Sequence, residues 1–191
     1  MKKVFYITLL LVSFSVSCQD LDSIYVKFYA YSDILTTNKT IGKLDENVYE
    51  IAKQLNVLHP KEYINKSVEL LKQGRFNEAS FIYYLGYIRW DYFKNFTTYS
   101  NKDIHTKQEI NDIINTFLRS NVANFSAILN AATKYHFEND YAFCHRKKDP
   151  LRYNEAGAFF SRMSNQFILN QEYFKTLWGK ERHDFENYKK K

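Results

Sequence analysis

Five histidines, two cysteines and 21 carboxylates are the side chains from which this chain of 191 residues would have to build a reaction centre. Their spacing narrows the options. His59, His105, His136, His145 and His183 never stand four residues apart and no HExxH occurs, so the helical zinc-hydrolase arrangement is absent. His136, Cys144 and His145 would have to converge to make a cysteine nucleophile or a ligand set. Sequence neighbours point apart on a helix or strand, so Cys144 reads as a structural thiol. Glu138 with Asp140, and Glu172 with Asp184, are carboxylate pairs of the kind a cell-wall glycosidase places on either side of a sugar bond. A peptidoglycan-acting hydrolase is therefore one reading, set against the ordinary fate of helical carboxylates, which is solvation. No GxxxxGK, GxGxxG or GxSxG is present and the chain has only 5 glycines, which excludes a phosphate cradle of backbone amides. No metal and no cofactor is expected.

Recognition is the other chemistry on offer. In the stretch Val68 to Phe93, a stripe of Ala79, Tyr83, Gly86 and Trp90 alternates small and large side chains at helical spacing, so a second helix can approach closely. Phe81, Tyr84, Tyr87, Ile88 and Tyr92 occupy the other faces. A helix apolar nearly all round is normally buried between layers. Left exposed, Tyr84, Tyr87, Arg89 and Tyr92 would form an aromatic and basic surface suited to binding a protein. Which reading holds depends on whether the stretches from Ile110 to Leu129 and from Phe159 to Trp178 cover this face.

The N-terminus carries an address. Lys2 and Lys3 precede a run from Val4 to Val16 that is shorter than the roughly 20 apolar residues of a spanning helix and has the length of a signal-peptide core. It ends in SVSC, which resembles the lipobox of bacterial lipoproteins, with Ser15 where the common pattern has Leu. The resemblance implies that Cys18 is lipidated and becomes the mature N-terminus. Gln19 in place of Asp after the cysteine implies the outer membrane, facing the periplasm. Cleavage near Ser17 without lipidation is the alternative. Lipidation of Cys18 leaves Cys144 alone; a Cys18–Cys144 disulfide requires the unmodified form.

Once the signal is removed, roughly 170 residues remain, the length of one domain. Aromatics at 18% with 2 prolines argue for a packed core. The charge of +6 includes Lys2 and Lys3 and gives a pI of about 9.1. Export makes nucleic acid an unsuitable partner, so the excess points to anionic headgroups or an acidic protein.

The elements follow from the apolar period. Ile24, Val26 and Phe28 alternate, but Tyr25, Tyr29 and Tyr31 blur the pattern, so 18–43 reads as a tether leading into a short helix or irregular segment. Leu44, Val48, Ile51, Ala52 and Leu55 share one helix face. Pro60 opens a helix to Gln73, Gly74 caps it in the left-handed region, and the aromatic helix runs from Phe76 past Trp90. Ile110, Ile113, Ile114, Phe117 and Leu118 make a further stripe, and Val122, Phe125, Ile128, Leu129 and Ala132 another. From near Asn154 the last helical region turns Ala156, Phe159, Phe160, Met163, Phe167 and Ile168 inward, with Gly179 interrupting it and a charged end at 180–191.

Within Pro60 to Asp91, the residues Tyr63, Ser67, Leu70, Gly74, Phe76, Ala79, Tyr83 and Gly86 fall at the spacing of a tetratricopeptide repeat, and the segment resembles one such helix-turn-helix unit. No second copy follows, and an array needs about three repeats. The expected fold is therefore all-α, a single-domain bundle of about 6–8 helices with one such hairpin. The layout is a signal peptide at 1–17, a lipidated tether at 18–43, a helical domain at 44–179 and a charged tail at 180–191. The expected function is protein interaction by a membrane-anchored lipoprotein, either an immunity protein or an accessory subunit of an envelope complex. Asn38, Asn65, Asn95 and Asn124 head Asn-x-Ser/Thr triplets, read as a by-product of an Asn-rich composition.

Overall fold

Helices form where the apolar period lies near 3.6 residues, and the computed structural model describes residues 23–35, 41–93, 101–142, 146–147 and 149–189 of the chain. Eight helices and no strand occur among the described residues: α1 (23–35), α2 (Asn47–Leu55), α3 (Lys61–Lys72), α4 (Phe76–Phe93), α5 (Asn101–Ser120), α6 (Val122–Glu138), α7 (Pro150–Leu169) and α8 (Gln171–Lys189). The chain is an all-α helical bundle.

Helix α4 is the axis. It packs most extensively on α3 and then on α6 and α7, with lesser contacts to α2 and α5. The turn before it is set by Gly74, whose φ of 76° only glycine adopts without strain. Arg75 N–H donates to the Leu70 carbonyl and Gly74 N–H to that of Leu71, both at 2.9 Å, which closes the end of α3 as a Schellman motif. The small-residue stripe works by close approach. A Cβ on Gly86 would lie 2.4 Å from the Cβ of Tyr63, so only glycine lets α3 and α4 come this near.

Two elements extend beyond the expected helical domain. Ile24, Phe28 and Leu35, at i, i+4 and i+11, are buried on one face of α1 within the stretch assigned to a tether. Phe28 meets Phe76, Phe117 and Trp178 with ring centroids 6.0, 5.8 and 5.4 Å away. The tyrosines that blurred the period at 25, 29 and 31 are flanking contacts of that same face. At the other end, α8 runs straight through Gly179, which has no neighbour within 4 Å to force a break, and the charged end is helical to Lys189. The interruption falls instead at Asn170, where the chain passes from α7 to α8.

Helix α7 begins at Pro150, with the Asp149 carboxylate accepting from Arg152 N–H as its N-cap. Its inward face is Tyr153, Ala156, Gly157, Phe160 and Ser164, while Phe159 and Ile168 point to solvent. Residues 156, 160, 163 and 167 follow i, i+4, i+7 and i+11, and Phe159 lies off that line. The segment before α2 is fastened by a buried amide relay. Gly42 N–H donates to Asn124 Oδ1 at 2.8 Å, Asn124 Nδ2 to Asn77 Oδ1 at 2.8 Å, and Asn77 Nδ2 to the Lys43 carbonyl at 3.0 Å. Asn124 is thus a core residue on α6, whereas Asn65 is exposed on α3; Asn38 and Asn95 lie outside the described residues.

Candidate functional site

The face of α4 proposed for recognition is covered. Tyr84 is buried beneath Phe125 and Phe160, with centroids at 5.6 and 6.2 Å, and its hydroxyl donates to Asn115 on α5 at 3.2 Å. Tyr87 is half-buried against Phe160 at 5.6 Å. The side chain of Tyr92 lies outside the described residues. Burial raises the hydroxyl pKa of Tyr83 and of Tyr84, as expected of phenols without access to water. The covering elements are those named from sequence, α5, α6 and α7. Of the two readings of this helix, the layer-filling one describes Tyr84 and Arg89.

Arg89 is fully buried. Its guanidinium carbon stands 5.3 Å from the ring centre of Tyr63, 5.7 Å from that of Tyr135 and 4.7 Å from that of Tyr141. Nη1 donates to Asn56 Oδ1 and to the Tyr63 hydroxyl. Asn56 in turn donates from Nδ2 to the Tyr135 hydroxyl at 3.3 Å and accepts from Ala142 N–H on its carbonyl at 2.9 Å. Three aromatic faces and an amide therefore solvate the cation, locking the α2–α3 turn, α4, α6 and residue 141 together. This is a structural role for a residue read from sequence as a surface contact.

The catalytic candidates do not assemble. Glu138 sits 3.8 Å from Lys134 and Asp140 3.2 Å from Arg146, both as exposed surface pairs. Glu172 is paired with Lys175 at 3.9 Å on the surface of α8. His136 is buried and stacked on Tyr153 at 4.0 Å, with Nε2 3.2 Å from the Tyr153 carbonyl oxygen. Cys18, Cys144 and His145 lie outside the described residues. No group of three or more His, Cys, Asp or Glu among the described residues is arranged to hold a metal ion. None of these helices is long and apolar enough to cross a membrane.

The concavity the sequence did not reveal is a groove of about 540 Å³ where α1, α5 and α8 meet. It is lined by Tyr25, Val26 and Tyr29 of α1, Thr116 of α5, and Glu181, Asp184, Phe185 and Tyr188 of α8. Its walls are pinned. Tyr29 stacks on Phe185 at 3.8 Å and on Trp178 at 5.3 Å. Arg182 of α8 forms a forked pair with Asp33 of α1 and reaches Glu186 at 3.1 Å. The Arg182 guanidinium holds the Asp33 carboxyl below the usual carboxylate range. Arg119 of α5 ties two of the lining residues together, donating to Thr116 at 3.0 Å and to Glu181. The rim is open, with Val26 48% and Tyr188 74% exposed.

Burial, with Glu181 adding to it, pushes the Tyr29 hydroxyl up to about 12. Burial likewise raises that of Tyr25, with Asp112 and Glu181 adding to the effect. The groove thus combines aromatic walls with the carboxylates of Glu181 and Asp184. The signal for it was present in sequence as Tyr25, Tyr29, Phe185 and Tyr188, but these lie at opposite ends of the chain.

Fold and site together define an all-helical bundle with an aromatic, acidic groove between its first, fifth and last helices. No protein-family model matches the chain, and neither a curated protein nor a solved structure matches it.

Proposed function

We propose that this chain is a lipid-anchored protein of the bacterial cell envelope that faces the periplasm from the outer membrane and acts by binding another protein. The roles open to it are those of an immunity protein and of an accessory subunit of an envelope complex. The observation that carries the reading is the α1–α5–α8 groove, a concave surface with aromatic walls and an exposed rim, the composition favoured where one protein holds another. The SVSC sequence at Cys18 and the basic, apolar leader before it support the anchor. The candidate carboxylates Glu138 and Asp140 are engaged in surface ion pairs and neither lines the groove, while Asp184 lines it without its candidate partner Glu172, which favours binding over hydrolysis.

Two measurements test this. A photoreactive amino acid at Val26, in the native envelope, is expected to capture one defined protein, and Tyr29→Asp is expected to abolish that capture. Labelling spread over many proteins and unchanged by Tyr29→Asp removes the groove from consideration. For the anchor, Cys18→Ala is expected to release the protein from the membrane fraction, because the acyl chains supply the attachment. Unchanged membrane retention overturns it.

A further inference from the structure

The groove's chemistry specifies what it would hold. Four rings, Tyr25, Tyr29, Phe185 and Tyr188, line a slot whose charged lining residues, Glu181 and Asp184, are both acidic. A third carboxylate, Asp112 on α5, is not part of the lining but is near enough to raise the pKa of the Tyr25 hydroxyl. Glu181 is neutralised by Arg119, whereas Asp112 and Asp184 pair with no cation among the described residues. A basic chain therefore turns uncompensated negative charge toward this groove.

We propose that the groove binds a cation carried on an apolar stem, the lysine or arginine side chains of a basic amphipathic segment of the partner protein. The proposal rests on the protein-binding reading above and adds the partner's chemistry. A lysine stem lies along the apolar lining of the slot while its ammonium reaches Asp184, and an arginine packs the same way behind its guanidinium. An acidic or purely apolar segment meets unpaired carboxylates and is rejected. The volume of about 540 Å³ is that of a pocket for a few side chains, which suits a single segment laid along α1 and α8. Since the groove opens between helices pinned by the Arg182–Asp33 and Arg119–Glu181 pairs, it is formed before the partner arrives.

The test is a titration of the full chain with a fluorescein-labelled peptide of leucine and lysine at helical spacing, read by anisotropy. Its counterpart with glutamate for lysine serves as the control. Saturable binding of the lysine peptide alone is expected, weakening as salt is raised. Asp112→Asn and Asp184→Asn, both exposed positions that leave the core intact, are each expected to weaken it about fivefold, the order of one partly screened charge pair. Equal binding of the two peptides, or affinity unchanged in both variants, overturns the proposal. A protein captured through Val26 while the lysine peptide fails to bind overturns the cationic assignment and leaves the protein-binding reading in place. Failure of both experiments removes both.

Discussion

His136 makes the stability of this bundle depend on pH in a direction and a window that can be worked out. It is fully buried on α6, its ring stacked on Tyr153 of α7, and Nε2 lies at hydrogen-bond distance from the Tyr153 carbonyl. That carbonyl only accepts, so the ring is the tautomer with its proton on Nε2. Nδ1 then has no hydrogen-bond partner among the described residues. Protonation would bury an unpaired N–H and a positive charge, with Arg89 from α4 and Arg146 from the preceding loop adding repulsion. Burial is the largest cause, and the pKa falls from 6.5 to about 4 despite the Tyr153 carbonyl, which favours the charged form. Above pH 6.5 both folded and unfolded chains hold the ring neutral, and the stability is whole. As pH falls from 6.5 toward 4, the unfolded chain takes up a proton that the folded chain refuses, and stability is lost. At about 1.4 kcal/mol per pH unit, the loss is about 2 kcal/mol by pH 5 and about 3 kcal/mol near pH 4, a large share of the 5–15 kcal/mol that typical domains possess.

Urea unfolding followed by far-UV circular dichroism at pH 7.5, 6 and 5 measures this directly. The wild-type midpoint should fall at each step. His136→Gln keeps a donor for the Tyr153 carbonyl and cannot titrate. It should be less stable at pH 7.5, having lost the ring stack, yet nearly flat with pH. Asp33, whose carboxyl is held low by Arg182, titrates beneath this window and does not contribute to it. A wild-type stability that is constant or rises between pH 7.5 and 5, or an equal slope in His136→Gln, would refute the reasoning.

Further outcomes follow from other positions. Gly86→Ala places a Cβ 2.4 Å from that of Tyr63 and should cost about 1–3 kcal/mol through overpacking, whereas Gly179→Ala, in open space on α8, should stabilise by up to about 1 kcal/mol. Thermal melts of the pair check both, and a neutral Gly86→Ala would contradict the close approach of α3 and α4. Arg89→Ala should lose about 3 kcal/mol or more, from the cavity and from the lost donor to the Tyr63 hydroxyl oxygen and to Asn56 Oδ1, which keeps only the Tyr63 hydroxyl. Arg89→Lys should recover part of that loss, since an ammonium keeps the charge but not the planar fit among three rings. Denaturant unfolding against the exposed control Arg162→Ala decides the matter. Gly42→Ala combines a φ of 68° with a contact 2.5 Å from the Ala127 Cβ. It should expose the segment before α2 to limited proteolysis while leaving helix content nearly unchanged.

How much could be seen beforehand differs from helix to helix. Apolar spacing placed α2 through α6, whether as one stripe, as in α2, or all round, as in α4, and the turn at Gly74 followed from the need for a residue with positive φ. Helix α1 was obscured: Ile24, Phe28 and Leu35 keep helical spacing, but Ile24, Val26 and Phe28 also alternate as in a strand, and the tyrosines at 25, 29 and 31 blurred both periods. Phe159 and Ile168 were turned inward from sequence and point outward in the bundle, since a helix with apolar residues on several faces offers more than one plausible stripe. The groove escaped notice altogether. Arg182 and Asp33, which hold two of its walls together, are 149 residues apart.

What the sequence determined by itself is therefore local: helical class, helix limits within a turn or two, the close-approach stripe on α4, and an unusually large aromatic supply. These depend on backbone preference and on which residues share a face. What only the tertiary structure decided is which face meets which. Helix α4 is apolar on all sides, so its own sequence cannot orient it. Tyr84 went to the core, and Arg89 into a cage of three tyrosines, because α2, α3, α5, α6 and α7 supplied the surroundings. By the same mutual docking α1, α5 and α8 left their tyrosines and carboxylates around one open groove, an arrangement that exists only once the two ends of the chain have met.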